Sequence, residues 1–294
     1  MSNKKGLFLM VLCYLIWGMQ PLYWSEISEF NSAFILCVRV IMSIITLFIY
    51  LAISKRLPEL WAMLKDKSKM KIIIPAAVFI AIDWGLFIWG VTKNHVLDLT
   101  VGYYMNPLII FLSGLFIFKE KSQKRELLAV LVAFSGVLIS IITYGSFPLI
   151  SMLAATFWPL YAMVKKFGHL DPIISVAAET LILSPFAVAV MLIFFRGDGG
   201  LGIITPSSLP YLLFAGIITA LPMILYTHVE NHLPFKTVGV FQYLGTTITL
   251  VCGAVFMKEE FTPTNIIMLI FIWAGLIIYT SAMFKKEKSA DAEA

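Results

Sequence analysis

The chain reads as a succession of apolar blocks, each about 20 residues long, separated by short polar runs that hold most of the lysines and glutamates. A helix rises about 1.5 Å per residue, so about 20 apolar residues cross roughly 30 Å of hydrocarbon. The pattern predicts ten spans, at 6–24, 34–54, 72–92, 98–118, 126–142, 146–165, 173–195, 209–229, 237–257 and 264–284. Within each block the apolar residues are continuous. That excludes a membrane β-barrel, whose strands alternate over about 10 residues. The connecting loops are short, so neighbouring spans are expected to pack antiparallel in an all-α membrane protein.

Composition agrees with this reading. Of 294 residues, 60% are hydrophobic and 13% charged, against about 25% charged in a soluble domain; the mean hydropathy is +0.91. The net charge of +5 is a matter of topology and does not call for nucleic acid. With the N-terminus inside, eighteen lysines and arginines fall in inner segments and three (Lys93, Arg196, Lys258) in outer ones, with Arg39 as the remaining basic residue. By the positive-inside rule both termini are then cytoplasmic. Cys13, Cys37 and Cys252 lie inside apolar segments, and no CxxC or Cys/His cluster points to a metal. The basic N-terminus runs into a long span without an A-x-A site, which reads as a retained first helix and not a cleaved signal peptide.

The two halves echo each other at an offset of 137 to 141 residues. "MNPLIIFLSGLFIFKEK" (105–121) resembles "LGTTITLVCGAVFMKEE" (244–260), which sets Lys119-Glu120 against Lys258-Glu259, Pro107 against Thr246 and Gly136 against Gly275. "IWGMQPLYW" (16–24) has a shorter echo in "FWPLYA" (157–162). Five spans per half is an odd number, so the second half enters from the opposite side. Two inverted repeats are expected, 1–143 and 144–286, followed by a tail at 287–294; secondary transporters use this plan to build one midplane site.

One charge stands out against the apolar background: Arg39, in "ILCVRVIMSI". Its repeat counterpart is Glu179, yet at 1.5 Å per residue the two lie on the order of 14 Å apart in depth. Asp83, in "AIDWGLFIWG", sits near mid-span and only roughly 7 Å from Arg39 in depth. A charge at the bilayer centre costs about 2.5–3.5 kcal/mol, so it faces a partner, a cavity or water. Arg39 and Asp83 are therefore expected to pair or to share an anionic ligand group. Glu179 lies nearer an interface, where a glutamate could reach inner water, and a functional and a structural role are about equally open to it. No histidine falls in the hydrocarbon middle, which leaves Asp83 and Glu179 as the candidate proton carriers.

Prolines inside spans (Pro21, Pro107, Pro159, Pro222) remove backbone hydrogen bonds and kink helices. In lipid the freed carbonyls must meet protein or a wet cavity. Polar aromatic and amide groups cluster near them: Trp17, Tyr103, Tyr104, Asn106, Trp158, Tyr161 and Tyr226, with Gln242 and Tyr243 in span nine. Such a lining suits an organic ligand with an apolar or aromatic body. Trp24 and Trp61, near span ends, are better read as interfacial anchors.

The stretches "YLIWGMQPLYW", "RVIMS", "DWGLFIWGV", "GYYMNPL", "FPLI", "FQYLG" and "FIWAGLIIY", in this order along nearly the whole chain, resemble the RarD branch of the EamA family in the drug/metabolite transporter superfamily. The resemblance implies a ten-helix inverted-repeat fold with a central cavity and a bacterial inner-membrane permease. The branch name is tied to chloramphenicol sensitivity, and related branches export amino acids and other metabolites. The family pattern carries over to Trp17, Arg39, Asp83, Trp84, Tyr103, Asn106, Pro107, Gln242 and Tyr243. Relatives have Gly-Pro in span nine where this chain has Gly245-Thr246, so a kink symmetrical with Pro107 is in doubt. Asparagine in relatives at Asp83 weakens that residue as an obligate proton carrier.

The leading functional expectation is a secondary transporter of small organic solutes such as amino acids, aromatic metabolites or drugs. No GxxxxGK[ST] signature is present, so the driving force would be a gradient, with a proton as a possible coupling ion and no cofactor. An intramembrane enzyme would need two close carboxylates or a metal cluster, and only the separated pair Asp83 and Glu179 lies deep. A non-transporting scaffold or sensor is the remaining alternative, and a flux assay separates it from transport.

Overall fold

The computed structural model describes residues 3–143 and 149–293. The expected boundary between the halves, and the first residues of the sixth span, lie outside the described residues. Twelve α-helices follow in order: α1 (Asn3–Ser25), α2 (Ser32–Ile53), α3 (Leu57–Lys65), α4 (Lys67–Thr92), α5 (Val96–Tyr103), α6 (Asn106–Phe116), α7 (Lys124–Thr143), α8 (Leu149–Gly168), α9 (Pro172–Phe194), α10 (Leu209–Glu230), α11 (Phe235–Val255) and α12 (Pro263–Glu293). Among the described residues eight helices are long and apolar enough to cross a membrane: α1, α2, α4, α7, α9, α10, α11 and α12. Large apolar side chains on their outer faces, such as Leu131, Phe186, Ile193, Ile270 and Ile277, are exposed. This is where lipid rather than protein would cover them.

Two departures from the sequence expectation have clear causes. The span expected at 98–118 is not one helix: α5 ends at Tyr103, and α6 opens with Asn106-Pro107. Pro107 has no N–H to donate to the preceding turn, so it serves as a helix start instead. Its counterpart Thr246 has an N–H, and α11 runs unbroken through it. The loop expected between the second and third spans folds into α3, a short helix with Pro58 in its first turn and Leu60 and Met63 buried beneath it. The segment expected as a separate tail continues α12 as far as Glu293.

Helix ends are set locally and across the halves. Asp66 caps α4, and Asp171 caps α9 through Ile173 and Ile174 N–H. Two other starts lack a cap from their own flanking residue. Glu120 accepts the N–H groups of Phe235 and Lys236 (2.6 and 3.0 Å) at the start of α11. Glu259 accepts those of Val96 and Leu97 (2.9 and 2.7 Å) at the start of α5. Both glutamates follow a lysine in the left-handed conformation, Lys119 at φ 55° and Lys258 at φ 57°. Free N–H groups and the helix dipole make such ends favourable for a carboxylate. The aligned Lys-Glu pairs thus exchange equivalent caps. The aligned glycines also meet at one contact, between α7 and α12. A Cβ on Gly136 would stand 2.6 Å from Phe271 Cβ, and one on Gly275 would stand 2.6 Å from the Ala129 carbonyl oxygen. Only small residues let these backbones approach so closely.

A cavity lined by tryptophans and one unpaired arginine

Six helices enclose a central cavity of about 90 Å³. Helix α1 contributes Tyr14, Trp17, Gly18 and Gln20, and α11 contributes Gln242, Gly245, Thr246 and Thr249. Asp83, Trp84 and Phe87 come from α4, Arg39 from α2, Tyr103 from α5 and Trp158 from α8. Ligand pockets usually enclose about 300–1,000 Å³, so in this conformation the site is contracted and would have to widen to hold a solute of that size.

Arg39 is the unusual element. It is 2% exposed, and its Cζ lies 4.2 Å from the Trp84 ring and 5.2 Å from the Trp24 ring. Its Nε and Nη1 have no hydrogen-bond partner in the protein, and among the described residues no carboxylate lies within ion-pair distance, 4.0 Å. Cation–π contacts contribute about 0.5–2 kcal/mol each, whereas the penalty for burying an ion is several kcal/mol. The charge is only partly compensated. Asp83 lines the same cavity with Oδ1 unpartnered, as is the Tyr103 hydroxyl. The direct Arg39–Asp83 ion pair offered as one expectation is therefore not formed; the two groups face one space.

Towards the end of the bundle that carries both chain termini, the cavity rests on aromatic rings. Trp17 meets Trp158 edge-on at 5.0 Å and Tyr226 at 5.4 Å, and Trp158 meets Tyr226 at 5.0 Å. The Trp158 Nε1–H donates to Gln242 Oε1 at 3.2 Å. Beyond this layer lies Tyr161, which does not line the cavity; its hydroxyl donates to Glu179 Oε2 at 3.2 Å. Glu179 does not reach inner water. It is 1% exposed and pairs with Lys165 at 2.6 Å, while Lys165 also donates to Ser175 Oγ at 2.6 Å. Lys165, Lys166 and Lys236, read from sequence as topology signals in loops, are buried helix residues. Long aliphatic stems let lysines near a span end turn inward when a carboxylate waits there.

Of the ten expected cavity residues, Trp17, Arg39, Asp83, Trp84, Tyr103, Trp158 and Gln242 line one space. Asn106, Tyr161 and Tyr243 lie outside it. Asn106 is fully buried with its amide unpartnered at the helix break, and Tyr243 stacks on Tyr104 at 6.2 Å. Tyr14, Gly18, Gln20, Phe87, Gly245, Thr246 and Thr249 were not anticipated. Helical spacing held a signal for most of them: Phe87 is four residues from Asp83, and Gly245, Thr246 and Thr249 are three, four and seven from Gln242. Pro21, Pro159 and Pro222 sit inside helices, unlike Pro107. Pro222 cannot donate to the Ile218 carbonyl one turn back, and the Gln20 side chain does so instead at 2.8 Å.

The pattern of the EamA-like transporter family matches this chain twice, over residues 4–142 and 146–281. An uncharacterized transporter of Bacillus subtilis, YojE, is 32% identical over 98% of both chains. The protein RarD of Escherichia coli K12 is 31% identical over 95% of this chain and 94% of its own. A protein of Pseudomonas aeruginosa named chloramphenicol-sensitive protein RarD is 24% identical over 94% and 93%. One solved crystal structure shares the fold with a TM-score of 0.73, covering 97% of this chain and 100% of its own at 13% identity.

Proposed function

Because the chain belongs to the EamA-like transporter family, we propose that it is a secondary transporter of small organic solutes, a permease that exposes the Arg39 cavity to the two sides of the membrane in turn. The supporting observation is the Arg39 guanidinium, held between Trp24 and Trp84 and facing the cavity without an anionic partner. A charge kept this way favours a solute that brings a negative group or strong acceptor of its own. Trp17, Trp84, Trp158 and Phe87 would take the apolar or aromatic body of the solute. Amino acids and aromatic metabolites fit this division, and chloramphenicol, named for the Pseudomonas relative, is a neutral aromatic probe of the same walls. Asp83 faces Arg39 across the cavity, where it would balance the guanidinium until a solute supplies its own acceptor.

In this reading α5 and α6 together make one crossing, so the chain crosses ten times as two inverted halves, with both termini in the cytoplasm of a bacterial cell. The exchanged caps of Glu120 and Glu259 and the doubled family match support the two halves. The test is uptake and counterflow of a labelled amino-acid panel and chloramphenicol in proteoliposomes, with and without a pH gradient, for wild type and Arg39→Ala. Flux lost in folded Arg39→Ala supports the site, and gradient dependence supports a proton as coupling ion. Equal flux in both proteins would make the arginine structural.

A further inference from the structure

Behind the aromatic floor lies a second group that neither the family resemblance nor the cavity uses. Glu230, the last residue of α10, is fully buried, and both of its carboxyl oxygens lack a hydrogen-bond partner among the described residues. Three more side chains on α10 share this property: Thr219, Tyr226 and Thr227, each 0–1% exposed with an unpartnered hydroxyl. They precede Glu230 by 11, 4 and 3 residues, which places all four along one side of the helix. The face starts at Thr219 and passes Tyr226, whose ring abuts the cavity residues Trp17 and Trp158. It ends at Glu230. Unpartnered polar atoms are rare inside proteins, and here four side chains on one helix face carry them, with the apolar Met223 between Thr219 and Tyr226.

The neighbours of Glu230 define what it does. Lys165 and Lys166 of α8 and Glu179 of α9 are the charged groups acting on it. Tyr14 of α1, Tyr161 of α8 and Tyr226 are the phenols within its field, and Cys13 of α1 is the nearby thiol. Lys166 is held by main-chain carbonyls, those of Glu230 itself (2.7 Å) and Leu233 (3.0 Å). Lys236 of α11 turns to Glu126, and Glu120 to the start of α11. Beyond Arg39, the titratable residues of α2 are Cys37, which is buried, and Tyr50, which is exposed. His228 and His232 contact each other beside the same turn, with Lys5 in their neighbourhood. Two carboxyl groups, Glu179 and Glu230, therefore share the field of Lys165, and only Glu179 holds it.

We propose that Glu230 carries the coupling proton and alternates with Glu179 as the partner of Lys165. In the conformation described, Lys165 is bound by Glu179, and Glu230, without a donor, is held as the neutral acid, since an anion stripped of water and donors is strongly disfavoured. When this end of the bundle opens, water reaches Glu230 and its proton leaves to solvent. The new carboxylate then accepts Lys165, and the link between α8 and α9 gives way to one between α8 and α10. Closing reverses each step, so proton uptake and closure are one event. The proposal rests on the transport reading for its purpose, but its chemistry is testable without any solute.

The test uses dicyclohexylcarbodiimide, an apolar reagent that adds to protonated carboxyl groups, on the full chain in liposomes from pH 5 to pH 9, followed by peptide mass spectrometry. A Glu230 adduct is expected to fall at least tenfold across the series and to vanish in Glu230→Gln. No adduct at Glu230 at any pH, or one independent of pH, would overturn the proposal. Thermal melts of Glu179→Gln, Glu230→Gln and the double variant test the exchange. The double variant, which leaves Lys165 with neither carboxylate, is expected to lower the melting temperature by more than the sum of the single shifts. Additive shifts would overturn the exchange, and the wild-type labelling decides the proton whether or not a variant folds. Flux failing while the labelling pattern holds would count against transport alone.

Discussion

Two buried cations, Arg39 and Lys165, are treated in opposite ways by the same bundle. Lys165 has Glu179 and Ser175, each at 2.6 Å, with the Tyr161 ring at 5.7 Å. Arg39, whose repeat counterpart is that same Glu179, has two tryptophan faces and no carboxylate. Lys236 follows the pattern of Lys165, with Glu126 at 2.6 Å and the Lys121 carbonyl at 2.5 Å. Two cations are saturated where helices are fastened together, and the third is left open where a cavity exists. Under the transport function proposed above, the difference separates a structural charge from one kept for a ligand.

The largest effect should come from breaking the saturated pair. Lys165→Met strands Glu179 in the interior, and losing one partner of a buried pair costs about 3–5 kcal/mol. The variant is expected to melt far below wild type in detergent. Arg39→Met removes a buried cation that no ion pair compensates, a change that is neutral or stabilising, and leaves Asp83 buried on the far side of the cavity. Its melting temperature should match or exceed that of wild type, while substrate affinity falls by about 2–5 kcal/mol in a binding titration. If Arg39→Met melts as low as Lys165→Met, the contrast between the two cations is wrong.

Smaller effects sharpen the comparison at the helix ends. Glu120→Gln and Glu259→Gln each weaken a cap supplied by the other half, and caps contribute about 0.5–2 kcal/mol. The two variants should lose similar stability in urea melts, since the two caps match atom for atom. Unequal losses would argue against equivalent halves. The smallest effect is at Asp171, between α8 and α9, where Arg56 lies at 2.8 Å. Burial alone would raise its carboxyl, but the Ile174 N–H, Arg56 and the Ile173 N–H outweigh that and hold it below the ordinary range. A depressed native value gives stability that is complete above the unfolded value of about 3.9 and is lost as pH falls through the native one. Asp171→Asn should therefore melt slightly below wild type at pH 7, by about 0.2–1 kcal/mol for a pair this exposed. The two should converge as pH falls below the lowered native value.

The apolar blocks by themselves determined the helices, because a chain in hydrocarbon must satisfy its backbone within each segment. Pro107 announced its interruption, although the pattern read as one span the stretch that the proline divides into α5 and α6. The echo of "FKEK" in "MKEE" was legible as well. What those glutamates do was not: Glu120 and Glu259 cap helices 115 and 163 residues away. For the cavity, local chemistry pointed to Arg39, Asp83 and the tryptophans, and helical spacing held the rest of the α4 and α11 lining. It could not tell Tyr161 and Tyr243, turned into packing, from Tyr103, turned into the cavity; that depends on the rotation of each helix against its neighbours. The partners of the buried charges were decided by tertiary structure alone. Electrostatic pairing acts over a few ångströms in space whatever the separation in sequence, so Lys165 finds Glu179, and among the described residues Arg39 and Glu230 are left with none.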